Sequence, residues 1–97
     1  MYVSVRKYQA APASAEEAGR RVEEGFVPII SQVPGFVAYY FLNTGYDVVL
    51  SVSVFRDQAG ADESNSRAAI WVKQNLASLL PNPPEITAGY AMTSKVS

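Results

Sequence analysis

Four stretches of this chain carry the apolar patterning of strands, and two others repeat apolar positions at helical spacing. Between Tyr2 and Gln9, Val3 and Val5 alternate with Ser4 and Arg6, the period of a half-buried strand. Ala10-Ala11-Pro12-Ala13 ends it. Ser14 then opens a helix, and Ser14-x-x-Glu17 has the form of a capping box, in which hydroxyl and carboxylate each satisfy an orphan amide. Glu16 and Glu17 suit the positive end of the helix dipole. Ala15, Ala18, Val22, Phe26, Ile29, Ile30 and Val33 form the apolar stripe, with Arg20, Arg21, Glu23 and Glu24 mostly off it. Gly25 and Pro28 weaken this helix and are expected to bend it near its last turns, and Pro34-Gly35 stops it.

Two apolar runs follow, Phe36 to Leu42 and Val48 to Phe55, rich in β-branched and aromatic residues. They read as a hairpin joined across Asn43-Thr44-Gly45. By parity, Val37, Tyr39 and Phe41 oppose Phe36, Ala38, Tyr40 and Leu42. The polar stretch after Phe55 leads to a second helix, with Asp57, Asp62 and Ser64 as alternative caps. From Asn65 onward, Ala69, Val72, Leu76, Leu79 and Leu80 fall on one face, and Trp71 and Asn75 lie one turn apart on an adjoining one. The Pro81-Asn82-Pro83-Pro84 run terminates it. A last strand spans Glu85 to Thr93, alternating Ile86, Ala88, Tyr90 and Met92 against Thr87, Gly89 and Ala91. The order β-α-β-β-α-β, with right-handed crossovers, predicts an α+β, ferredoxin-like fold: a four-stranded antiparallel sheet with both helices on one face.

Two helices cover one face only. In both hairpin strands, each face is apolar where a solvated face would show charged or polar side chains. An open face this apolar exceeds what soluble monomers normally tolerate, so a second copy packed sheet to sheet is expected. The 97 residues are read as one domain spanning 1–97. The formal net charge is −1 and no cluster of Lys and Arg exceeds a pair, which leaves nucleic-acid or membrane binding without an electrostatic footprint. The third strand also lacks the Lys/Arg-Gly-Phe/Tyr pattern of RNA-recognition domains, which share this strand order. With no membrane-length apolar run and no leader-like start, a cytoplasmic location is the default expectation.

Cysteine and histidine are both absent. A disulfide framework, a thiol nucleophile, a Ser-His-Asp triad and the usual zinc ligands are therefore excluded. Acid–base work at neutral pH would fall to Tyr, Lys, Asp or Glu with shifted pKa values. No glycine-rich phosphate loop is present.

The Pro34-Gly35-Phe36 turn, the Phe55-Arg56-Asp57 strand end, Trp71 on the second helix and the Pro81-Asn82-Pro83-Pro84-Glu85 run resemble the dimeric α+β barrel superfamily. Within it, the likeness is to antibiotic-biosynthesis-monooxygenase-like domains, including small uncharacterised bacterial proteins. The resemblance implies a homodimer in which two sheets form a barrel, with a pocket in each subunit between helices and sheet. Some members of the group oxidise aromatic phenols without metal or flavin, so no cofactor is expected. Others degrade haem using a helix His as iron ligand, and this chain has no His.

The candidate substrate-binding residues are Trp71, Asn65, Arg6, Tyr8, Ser51 and Ser53, with no catalytic residue assigned. In the resembling enzymes, a Trp on this helix lines the pocket; by spacing alone a lone Trp is more often core. Asn65 can orient a phenol or carbonyl, though Asn near a helix start is usually a cap. Asn75 is either a second such group or solvated. Arg6 and Tyr8 share a strand face with Ser4 and Tyr2. Facing a pocket, Arg6 would hold a carboxylate or phenolate; at a dimer surface it would pair with Asp or Glu, the plainer expectation. Ser51 and Ser53 leave room for a ligand or, more simply, for close approach of a helix bearing Ala68 and Ala69. Tyr39, Tyr40, Tyr46 and Tyr90 become acid–base candidates only if buried near a charge. Two functional classes follow: a cofactor-independent oxygenase acting on a small aromatic or quinone-like molecule, and a non-catalytic dimer that binds a small ligand.

Overall fold

The computed structural model describes residues 1–97. Strand β1 (Tyr2–Gln9) leads into a composite helix made of α1 (Ala15–Arg21), a π-helical turn (Val22–Phe26) and α2 (Val27–Ile30). The hairpin β2 (Phe36–Gly45) and β3 (Val48–Phe55), helix α3 (Gln58–Asn75) and strand β4 (Glu85–Tyr90) complete the chain. The four strands form one antiparallel sheet in the order β2-β3-β1-β4, with the helices on one side. This is the ferredoxin-like arrangement the patterning predicts.

The composite helix explains its own irregularity. Ala18, Val22, Phe26 and Ile30 are all buried, and they recur every four residues. A regular helix turns once per 3.6 residues, so a strict spacing of four would drift off the core face. The π turn underwinds the helix where the drift would accumulate, keeping Val22 and Phe26 on the sheet. The predicted bend near Gly25 and Pro28 takes this form. The capping box does not form: Ser14 makes no side-chain cap bond, and its Oγ donates to the Pro12 carbonyl at 3.4 Å. Glu17 is taken instead by Arg20 and Arg21, at 2.7 and 2.9 Å.

Three further boundaries move. The hairpin reverses at Tyr46-Asp47, because Gly45 already pairs with Val48 across a two-residue loop. Both loop residues take positive φ, 56° and 60°, the signature of the mirror-image turn that matches strand twist. Asp47 holds the turn down: its Oδ1 accepts from the Ala13 amide at 3.0 Å and its carbonyl from the Ala10 amide at 2.7 Å. Helix α3 is capped by Asp57, whose side chain accepts from the Gly60 amide, and it stops at Asn75 rather than running to Leu80. Its buried face is Gly60, Ala61, Ser64, Ala68 and, past the helix end, Leu76; Ala69 is exposed. Gly60 is a packing requirement, since a Cβ there would stand 2.6 Å from Phe55 Cδ1 and 2.8 Å from the Pro34 carbonyl oxygen. Finally, β4 ends at Tyr90, not Thr93.

A register shift between Phe36 and Ala38 also corrects the parity of β2. The extra residue, Val37, is absorbed as a bulge. Phe36 therefore joins Tyr39 and Phe41 on the helix side, where its ring packs edge-on to Phe55 at 5.8 Å.

Candidate functional site

The helix-covered face of β1 and β3 is polar at its centre. Tyr2, Ser4, Arg6 and Tyr8 point under the helices from β1, and Val49, Ser51, Ser53 and Phe55 do so from β3. Opposite strands place Arg6 across from Ser51, and Ser4 across from Ser53. Aromatic and aliphatic residues close the layer around them: Phe26 and Val22 from the π turn, Tyr39 and Phe41 from β2, Trp71 and Val72 from α3.

Arg6 organises this centre and is only 2% exposed. One terminal nitrogen donates to Asn65 Oδ1, the other to Ser51 Oγ at 2.8 Å. Ser51 Oγ in turn shares a 2.6 Å hydrogen bond with the Tyr39 hydroxyl. Asn65 Nδ2 donates to Ser4 Oγ at 3.2 Å. Phe26 lies under the guanidinium, with its ring centre 6.0 Å away. The expected ion pair is absent. The four ion pairs of the chain involve Glu17, Glu24 and Glu63 with Arg20, Arg21 and Arg67, all on the surface. Parity alone left open which face the helices cover; here they cover the Arg6 face, which carries no carboxylate.

Arg6 Nε, Ser53 Oγ and Ser64 Oγ are buried and have no hydrogen-bond partner. Native interiors rarely leave such groups unpaired. Burial pushes the Tyr8 and Tyr39 phenols above their ordinary value of 10.0, against the opposing pull of the Arg6 charge. Both are neutral hydrogen-bonding groups near pH 7. Neither is a base there.

The enclosed space at this centre is about 10 Å³, bounded by Arg6, Tyr8, Tyr39, Ser51, Trp71 and their apolar neighbours. That is room for one water at most. Two larger troughs abut it. One of about 360 Å³, between α3 and the Pro81–Pro84 run, shares Tyr8, Val72 and Leu80 with the cavity and has Lys73 among its lining residues. The other, also about 360 Å³, lies beside the π turn and shares Val22, Tyr39 and Phe41. Single side chains thus separate the polar centre from open space on both sides.

Of the residues singled out from sequence, Arg6, Tyr8, Ser51 and Trp71 line one cavity, and Asn65 joins it by hydrogen bonding. Asn65 sits inside α3, not at its cap. Ser51 is a hydrogen-bonding member of the centre rather than a gap for a helix. Ser53 is buried in the same sheet face without a partner. Trp71 is half-buried, stacked at a tilt on Phe26 at 5.6 Å and seated against Gly25, where a Cβ would come within 2.7 Å of the indole. Asn75 is outside the site: its Nδ2 donates to the Trp71 carbonyl. Sequence reasoning missed Phe26 and Phe41 as lining residues and Ser4 as a partner of Asn65. The four-residue spacing around Phe26 was the available signal. No group of three or more His, Asp or Glu is arranged to hold a metal ion, and no helix is long and apolar enough to cross a membrane.

Comparison with solved structures gives the same fold at low sequence identity. A protein of unknown function from Nitrosomonas europaea superposes with a TM-score of 0.80 at 22% identity, over 99% of this chain and 93% of that one. A monooxygenase from Streptomyces coelicolor, solved in complex with nanaomycin D, superposes with a TM-score of 0.75 at 17% identity, over 99% and 91%. A protein from Pseudomonas aeruginosa gives 0.70 at 19% identity, over 95% and 94%. No curated protein matches the chain by sequence. The family model described as antibiotic biosynthesis monooxygenase matches residues 1–70, which span β1 through most of α3 and include Arg6 and its hydrogen-bond partners but not Trp71 or Val72 of the cavity wall. The chain belongs to the antibiotic biosynthesis monooxygenase family.

Proposed function

We propose that this protein is a homodimer that takes a small aromatic or quinone-like molecule between its helices and sheet and oxidises it with molecular oxygen. The observation that carries this reading is the Arg6–Asn65–Ser51–Tyr39 hydrogen-bond chain, enclosed by Trp71, Phe26 and Phe41. The enclosed space is too small for a ring, so the ring would lie in the adjoining trough of about 360 Å³, with an oxygen substituent directed past Tyr8 to the fixed polar groups. A phenol oxidised to a quinone needs no other reductant: one atom of O₂ joins the ring, and the other leaves as water with the two displaced hydrogens. The electron-rich ring carries the reactivity and the protein contributes positioning. The apolar outer face of the sheet supports the homodimer, because a second copy packed on it would remove that surface from water.

Oxygen uptake with a panel of hydroxylated aromatics tests the reading. One class is expected to support uptake that Trp71→Ala abolishes without loss of the fold; uptake no faster than the buffer blank across the panel overturns it. One observation favours a non-catalytic ligand-binding dimer instead, namely the lack of any base at the centre. Saturable binding of a panel member without oxygen consumption would decide for that second reading.

A further inference from the structure

We propose that the Arg6 centre is an oxyanion site, and that the protein binds its aromatic ligand as the ionised phenol or enol in preference to the neutral form. The inference deepens the proposed function and rests on it only for the aromatic nature of the ligand. The polar centre itself is visible whatever reaction follows.

A guanidinium is charged at any physiological pH, and burying it without a counter-ion is strongly unfavourable. Arg6 is 2% exposed, and its hydrogen-bond partners Asn65 and Ser51 and the Phe26 ring beside it are neutral. The titratable groups around it do not neutralise it. Tyr8 on β1 and Tyr39 on β2 remain protonated near pH 7, and Lys73, on the trough side of Tyr8, adds a second positive charge. Every Asp and Glu that pairs with a cation does so on the surface. The site therefore holds one buried positive charge that nothing in the chain balances.

The unused donors of Arg6 suit an anion. Both terminal nitrogens of Arg6 already donate, while Nε has no partner. Two of the five guanidinium N–H groups are thus in use, and those on Nε and the second on each terminal nitrogen remain for an oxyanion. The absence of a base points the same way. With Tyr8 and Tyr39 both protonated, the centre cannot remove a proton from a phenol near pH 7, but it can favour a phenol that has already given its proton to solvent. The ring would lie toward the trough behind Tyr8, Val72 and Leu80, whose volume of about 360 Å³ is of small-ligand size and whose lining is mostly apolar.

4-Nitrophenol tests this on the native protein, because its ionised form is coloured and its neutral form is not. Bound probe is expected to be ionised at a pH where free probe is mostly protonated, with the anion held at least about tenfold more tightly than the acid. 4-Nitroanisole, which cannot ionise, is expected to bind at least about tenfold more weakly than the anion. Arg6→Met should lose the preference, and Arg6→Lys should keep part of it. Equal affinity for both forms, an unchanged preference in Arg6→Met, or no binding of the probe at any pH would overturn the proposal. If Arg6→Met does not fold, the contrast between the two probes on native protein decides alone. Anion preference without oxygen uptake would sink the oxygenase reading and leave the oxyanion site standing. Uptake of oxygen with neutral and ionised substrates bound alike would do the reverse.

Discussion

The two faces of the sheet invert the usual rule. On the face covered by helices, the central strands present Ser4, Arg6, Ser51 and Ser53, each at most 2% exposed. On the open face the same strands present Val3, Val5, Leu50, Val52 and Val54, joined by Tyr40 and Leu42 from β2. Its charges sit at one end, where Lys7 and Glu85 stand opposite each other. A covered face needs hydrophobicity to stabilise the fold, and here that comes from a surround of Phe26, Ile30, Val49, Phe55 and Leu76 rather than from its middle. An open face needs none. Under the proposed function the difference reads as two separate demands: a polar centre kept for a ligand, and an apolar surface kept for a second copy.

The largest expected effect lies on the open face. Val52→Asp places a charge at its middle, where a sheet-to-sheet dimer would bury it unpaired. The dimer dissociation constant is expected to rise at least about a hundredfold, leaving a folded monomer in sedimentation analysis. A variant that sediments as the wild type does would show that this face is not the contact.

The covered face should respond in the opposite sense. Arg6→Met removes an unbalanced charge at similar length and is expected to raise stability against urea by about 1–4 kcal/mol, less about 1 kcal/mol for the bonds lost by Ser51 and Asn65. A destabilised but folded Arg6→Met would mean that Arg6 serves the fold and that the contrast between the faces is only apparent. The two buried serines of β3 sharpen the same point. Ser51→Ala strands both Arg6 and Tyr39 and should lower stability by about 1–3 kcal/mol. Ser53→Ala removes a hydroxyl that has no partner, so it is expected to be neutral or stabilising by up to about 1 kcal/mol.

Much of this architecture is legible in the sequence because strand alternation and helical stripes survive tertiary packing. The succession of elements and the two-faced apolarity of the hairpin follow from period, and the sheet arrangement from right-handed crossovers. The failures share a cause: local patterns offer alternatives that only long-range contacts decide. Ser64 and Asn65 look like the start of a helix because polar residues belong at caps, yet they lie mid-helix, where Asn65 meets Arg6 from a strand 59 positions earlier. Asn43-Thr44-Gly45 looks like a turn, yet the chain reverses two residues later because Asp47 is held by the backbone of Ala10 and Ala13. Parity assigned Arg6, Tyr8, Ser4 and Tyr2 to one face of β1, but it carries no information on which face the helices cover. That missing bit separated a surface ion pair from a buried cation.

The mildest test is alkaline pH. Tyr8 and Tyr39 both have pKa values raised by burial above the ordinary 10.0, so the folded state holds their protons more tightly than the unfolded chain does. Their contribution is fully present below the unfolded value and is lost as pH rises through it toward the folded one. Stability against urea should therefore be flat near neutrality and fall from about pH 9 upward, where phenols of the unfolded chain begin to ionise. Tyr39→Phe removes one of the two groups and should make the alkaline fall shallower, while losing the bond to Ser51 lowers stability at every pH. An alkaline fall of unchanged steepness in Tyr39→Phe would mean that this phenol is no better shielded folded than unfolded. The centre would then be open to solvent, and water rather than a ligand would screen Arg6. A shallower fall would establish the opposite: the covered face is dry around its one charge, the condition under which a single guanidinium can choose between a phenol and its anion.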